Sequence, residues 1–308
     1  MEGLKKFTRR HFTKSLAIGG ICTIGLPFTR RYENAKSING RTPAFRLKIS
    51  LNAFSFDKLL RDGTMTIIDL LEYCAKTGFD AVDLTGYYFP GYPAVPPDDY
   101  IYNLKKKAFR LGLGISGTGV RNDFTWSDAD KREGEKQLVK DWIIVAEKLG
   151  APLVRIFSGT LSRESFSWEE RAKWIAEDIR ECAEFGKKHG VMTALQNHYD
   201  FIKTSADAEK MLDMVDSDWN GLLLDIGSYH SSDPYKDIAL NAGHAISWQL
   251  KEKVFINEIQ TDTDYTKVMD IVKQCGYAGY LPLETLGEGD AVKKAEALFQ
   301  KVKAVLNS

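Results

Sequence analysis

Four side chains able to bind a metal or move a proton fall at one kind of place in this sequence, the polar end of a short apolar run. Gln196 closes the run Val191–Gln196, Asp225 closes Gly221–Asp225, and Glu284 closes Gly279–Glu284, while Gln249 lies two residues before the end of Ala245–Lys251. Two carboxylates and two amide oxygens suit a hard or borderline divalent cation, Mn2+ or Mg2+ first, then Zn2+ or Co2+. Such an ion would polarise a substrate carbonyl and stabilise the enolate left when a neighbouring proton is removed. His198, two residues after Gln196, has an unperturbed pKa near neutrality and is the candidate base. Lys251 is the candidate for holding the oxyanion or protonating the product, and Glu284 for acid–base work as well as ligation. Asp83, Arg155, Asn122 and His230 are the candidates for binding substrate. Each residue also has a plainer reading. Asp225 would cap the following turn, Glu284 would close an apolar strand, the glutamines would be rim amides, and His198 would be structural.

These residues share a rim only if the chain folds so that the ends of its apolar runs converge. From Arg46 onward, short apolar runs alternate with amphipathic stretches, the pattern of βαβ units and a parallel sheet. Strands are predicted at Leu47–Phe54, Ala81–Gly86, Gly114–Thr118, Leu153–Ser158, Val191–Gln196, Gly221–Asp225, Ala245–Lys251 and Gly279–Glu284. Helices are predicted at Thr66–Thr77, Tyr100–Arg110, Lys131–Leu149, Trp168–Lys188, Ala206–Val215, Tyr265–Gln274 and Ala291–Leu306. Glycines at 78, 112, 150, 190 and 276 follow helices directly before strands, where a left-handed cap is expected. Eight strands with intervening helices specify an α/β fold, a closed (β/α)8 barrel, whose sites form at the carboxyl ends of the strands. An open doubly wound sheet is the alternative, but no glycine-rich phosphate loop follows the first strand. Pro90–Pro97 and Ser158–Ser167 read as long loops on the catalytic face.

The bulk numbers agree with one such domain at residues 46–308. The chain has 308 residues, and a barrel typically needs about 250. Lys plus Arg and Asp plus Glu number 42 each, a balance that argues against a broad nucleic-acid-binding face. Cys22, Cys74, Cys182 and Cys275 form no CxxC pair and read as buried structural thiols, apart from Cys22 in the leader.

Residues 1–40 read as a leader. Thr8-Arg9-Arg10-His11-Phe12-Thr13-Lys14 precedes an apolar stretch from Ser15 to Pro27. This resembles a twin-arginine export signal, with an apolar region shorter than the roughly 20 residues a bilayer span needs. The resemblance implies export of the folded protein to the periplasm, with no membrane contact beyond the signal. A basic N-terminal tail is the alternative. No A-x-A site stands out and Ile21 breaks a lipobox at Cys22, so cleavage and retention as an anchor both stay open.

The segments Ala194-Leu195-Gln196-Asn197-His198, Leu224-Asp225-Ile226-Gly227, Trp248-Gln249-Leu250-Lys251 and Gly276-Tyr277-Ala278-Gly279-Tyr280-Leu281-Pro282-Leu283-Glu284 carry a further resemblance over residues 46–306. In order and spacing they are similar to the xylose isomerase-like TIM-barrel superfamily of sugar isomerases, sugar epimerases and endonuclease IV. The resemblance implies a carbohydrate substrate, a metal held by Glu, Asp, His and Glu on strands five to eight, and a homo-oligomer. Two glutamates would exchange the substrate proton. Gln196 stands where the first Glu would be and Gln249 where the His would be, so one acid–base group and one negative ligand are lost. Three functions follow. The first is isomerisation or epimerisation by proton abstraction next to a sugar carbonyl. The second is a lyase cleaving 3-oxo-glycosides by β-elimination. The third is a non-catalytic sugar-binding protein with a degraded metal site. A trinuclear endonuclease centre is a poor match for five histidines, one of them in the leader.

Overall fold

The computed structural model describes residues 46–160 and 166–307, so the leader expected at residues 1–40 lies outside the described residues. Eleven strands occur in this part. They are β1 (Lys48–Asn52), β2 (Ala81–Thr85), β3 (Gly114–Gly119), β4 (Leu153–Ile156), β5 (Met192–Gln196), β6 (Asn220–Asp225), β7 (His230–Ser231), β8 (Ala245–Lys251), β9 (Lys253–Ile256), β10 (Ile259–Asp262) and β11 (Tyr280–Glu284). Eight of them close a parallel barrel in the order β1-β11-β8-β6-β5-β4-β3-β2. Closure is made at β1, where Leu51 stands in register with Leu283 on one side and Val82 on the other. All eight predicted strands are present.

Strands buried on both faces explain the apolar runs. One face points at the helices: Ile49, Leu51, Val82, Leu84, Leu281 and Leu283 all belong to the main core. The other face points into the barrel, and along it the chemistry changes with height. Leu153, Ala194 and Leu223 form a separate apolar plug. Two residues further along the same strands come Arg155, Gln196 and Asp225, all buried. Since side chains alternate with a period of two, the plug and the polar layer above it share one face.

The helices are α1 (Asp57–Arg61), α2 (Ile67–Thr77), α3 (Asp98–Arg110), α4 (Ala129–Leu149), α5 (Trp168–His189), α6 (Ser205–Val215), α7 (Pro234–Asn241), α8 (Tyr265–Gln274) and α9 (Ala291–Leu306). Capping boxes start three of them, Thr66 with Asp69, Ser167 with Glu170 and Thr204 with Asp207. Gly78 and Gly150 end α2 and α4 in the left-handed conformation, at φ 93° and 78°.

Three elements go beyond the sequence prediction. Helix α1 is a single short turn. Helix α7 has only eight residues, too short for a periodic pattern, although Asp233 caps it and Pro234 opens it. Strands β7, β9 and β10 form a small second sheet in the order β10-β9-β7. The sequence carries no signal for it, because β7 has two residues and the β9–β10 reversal uses Asn257 and Glu258 at φ 49° and 65°, without glycine. Among the described residues no helix is long and apolar enough to cross a membrane.

Candidate active site

Three neighbouring barrel strands bring the centre together. Lys251 at the end of β8 is the register partner of Glu284 on β11, and Gln249 is that of Asp225 on β6. The Lys251 ammonium lies 2.7 Å from Asp225 Oδ2 and 3.1 Å from Glu284 Oε2. Asp225 is fully buried and Glu284 nearly so, while the Lys251 side chain keeps 14% exposure at the mouth. Burial pulls the Lys251 pKa down, but the charges of Asp225 and Glu284 more than offset it, so the ammonium is held above the ordinary lysine range.

Asp225 is the most constrained group of the set. Gln196 Nε2 donates to its Oδ2 at 2.8 Å, and the Gly227 N–H donates to its Oδ1 at 2.9 Å. Asn197 clamps its backbone: Asn197 Nδ2 donates to the Asp225 carbonyl at 3.0 Å, and the Asp225 N–H donates to Asn197 Oδ1 at 2.7 Å. Gln249 is buried, with no hydrogen-bond partner for its amide among the described residues.

The residues expected to hold a divalent ion do converge, but their chemistry does not fit one. An ammonium is bonded to a carboxylate oxygen of both Asp225 and Glu284. Gln196 turns a donor, not an acceptor, toward Asp225. Among the described residues no three His, Cys, Asp or Glu side chains gather in the manner of a metal shell.

Asp83, on β2, is a second buried carboxyl, with no hydrogen-bond partner among the described residues. Burial pushes its pKa up to about 6, the Glu284 charge reinforcing the shift and the Arg155 charge opposing it. Arg155 itself is tied down. It donates to the Val120 carbonyl at 2.6 Å and the Tyr87 hydroxyl at 2.8 Å, with its guanidinium 4.0 Å from the Phe157 ring centre.

The remaining candidates stand farther out. Both ends of the Asn122 amide bond to the Phe157 backbone, at 2.7 Å and 2.9 Å, so Asn122 shapes the rim. His198, about half exposed, has Nδ1 2.7 Å from Asp200 Oδ2 and meets the Phe157 ring edge-on. Among the described residues no hydrogen bond joins it to Lys251, Asp225 or Glu284. His230 is stacked between Tyr199 and Phe255, each ring centre 3.8 Å away, with Nδ1 2.6 Å from Glu258 Oε2. Sequence reasoning missed Asn197, Tyr87 and Glu258. Only Asn197 carried a signal, as the middle residue of a polar triplet ending a strand.

Residues 71–306 match the family described as xylose isomerase-like TIM barrel. The chain belongs to that family. No curated protein matches the sequence. Among solved structures, D-psicose 3-epimerase with D-tagatose from Clostridium cellulolyticum H10 is 17% identical with a TM-score of 0.70, over 84% of this chain and 99% of that one. The 3-keto-D-glucoside 4-epimerase YcjR from E. coli, apo form, is 12% identical with a TM-score of 0.67, over 85% of this chain and 100% of that one. The IOLI protein with a binding zinc atom is 18% identical with a TM-score of 0.63, over 84% and 96%. At these identities the likeness is one of fold.

Proposed function

We propose that this xylose isomerase-like barrel is a carbohydrate isomerase or epimerase that moves a proton at a carbon next to a sugar carbonyl. The observation that carries the reading is the placing of one ammonium, Lys251, between buried Asp225 and Glu284, with Asp83 close enough to feel the Glu284 charge. Asp83 takes the proton. A carboxylate with a pKa of about 6 is mostly ionised at neutral pH yet far more basic than an ordinary one. The C–H electron pair moves onto the carbonyl oxygen, and the Lys251 ammonium donates to the oxyanion that forms. Return of the proton by Asp83 to the former carbonyl carbon gives isomerisation, the hydroxyl proton of the first carbon passing by way of the Lys251 amine to the other oxygen. Delivery of a proton to the original carbon from the other side, passed from the Lys251 ammonium through Glu284 and restored from solvent as Asp83 releases its own, gives epimerisation. His198, at the exposed mouth, is left to bind substrate hydroxyls.

The test is proton exchange. Ketoses and 3-oxo-glycosides are incubated with the protein in D2O and followed by NMR. Deuterium should enter at the carbon beside the carbonyl. Lys251→Met should slow exchange by roughly 10²–10³, the cost of losing an oxyanion donor, and Asp83→Asn by roughly 10²–10⁴, the cost of losing a general base. His198→Ala should weaken binding more than turnover. Neither exchange nor conversion with any of these sugars would sink the proposal. Release of the aglycone from a 3-oxo-glycoside would reassign the same first step to elimination.

A further inference from the structure

We infer that Lys251 is the resident cation of this site, seated between Asp225 and Glu284 where a divalent ion would otherwise bridge them, so that the protein neither needs nor admits a metal there. The inference rests on the proposed proton-transfer reading for its purpose but on geometry for its substance.

The lysine is held along its whole length. Its carbonyl accepts from Thr263 Oγ1 at 2.8 Å and from the Tyr265 hydroxyl at 2.9 Å, which fixes the end of β8. Its stem passes over Gly227, where a Cβ would stand only 2.8 Å from Lys251 Cδ. The glycine two residues after Asp225 therefore makes the room the lysine occupies. Its head reaches both carboxylates at bonding distance.

The neutral residues around it keep the charge left beside a single ammonium small. Asp225 and Glu284 carry two negative charges, and one ammonium leaves one. A glutamate at 196 would add a third charge that one lysine does not offset. Gln196 instead donates to Asp225 Oδ2, the oxygen that also accepts from Lys251. With the amide N–H and the ammonium on that oxygen, and the Gly227 N–H on the other, each Asp225 carboxylate oxygen already has a donor. A metal would have to displace the ammonium and reverse the Gln196 amide to gain two carboxylates and neutral oxygens. A compact, hydrated ammonium on a flexible stem can serve as a point charge in its place.

Titration of the full-length protein with MnCl2, by calorimetry and by loss of the free Mn2+ electron paramagnetic resonance signal, tests this directly. The wild-type protein should take up no Mn2+ up to about 1 mM, a concentration at the weak end of protein Ca2+ sites. Its deuterium exchange should survive EDTA. Lys251→Met leaves the two carboxylates facing each other without their cation, and should bind one equivalent at least tenfold more tightly than wild type. Adding Asp225→Asn should abolish that gain. One equivalent of Mn2+ bound by wild type, and lost in Asp225→Asn, would overturn the inference. So would a folded Lys251→Met protein that binds no Mn2+. The wild-type titration decides even if Lys251→Met fails to fold. Because the readout is metal binding, it separates from the activity. A protein that excludes Mn2+ but exchanges no sugar proton keeps this inference and loses the proposed function. One that exchanges only with Mn2+ bound does the reverse.

Discussion

The ionised Asp83 carboxylate is a source of instability as well as of basicity. Its pKa is raised from 3.8 to about 6, mainly by burial. The folded state therefore binds that proton more tightly than the unfolded state. The associated stability is complete below the unfolded value and is lost as pH rises through about 6. Over the whole interval the loss approaches about 3 kcal/mol, at about 1.4 kcal/mol per unit. Asp83→Asn should thus be more stable than wild type at pH 8 by up to that amount, with the gap closing below about pH 4. Thermal melts of both proteins across that range check it, and a gap independent of pH would count against it. In the wild type the same ionisation should give kcat/KM a rising limb centred near pH 6, and the variant should lack it. Asp225 and Glu284 could be read from the sequence because strand phase alone aims them inward. Lys251 could be placed at the same rim, but its seat between the two carboxylates could not be read, since it depends on three strands that are adjacent only in the closed barrel. Nor could Asn122 be separated from a substrate ligand: an amide that clamps a backbone and one that binds a hydroxyl look alike in a sequence.

Among the elements, long helices and buried strands announced themselves through apolar period, caps and closing glycines, and every predicted one is present. The short pieces did not, because a two-residue strand or an eight-residue helix contains too little repetition to show a period. Helix α6 offers a direct test of how much a cap contributes. Thr204 accepts from the Asp207 N–H while the Asp207 carboxylate accepts from the Thr204 N–H, and both lie just after the loop carrying His198. Thr204→Ala should lower stability by about 1 kcal/mol, read from denaturant midpoints at unchanged m-value. A loss well below a few tenths would mean that packing of the buried Ala208 and Met211 face alone holds the helix.

At the scale of the whole molecule, the apolar plug of Leu153, Ala194 and Leu223 lies beneath the polar layer, and the barrel closes through β1 and β11. Closure of the barrel followed from counting strands. The height at which leucine gives way to charge followed from the two-residue alternation. Two asparagines add a property that neither count conveys. Asn122 binds both polar atoms of the Phe157 peptide backbone beyond β4, and Asn197 does the same for Asp225 at the end of β6. Strand ends ordinarily fray and let solvent reach their amides. Here the Phe157 and Asp225 amide hydrogens should exchange with solvent as slowly as those in mid-strand, and Asn197→Ala should speed exchange at Asp225 while leaving Phe157 slow. The rim of the mouth would then behave as a fixed frame, so that any movement accompanying sugar capture falls to the loops above it.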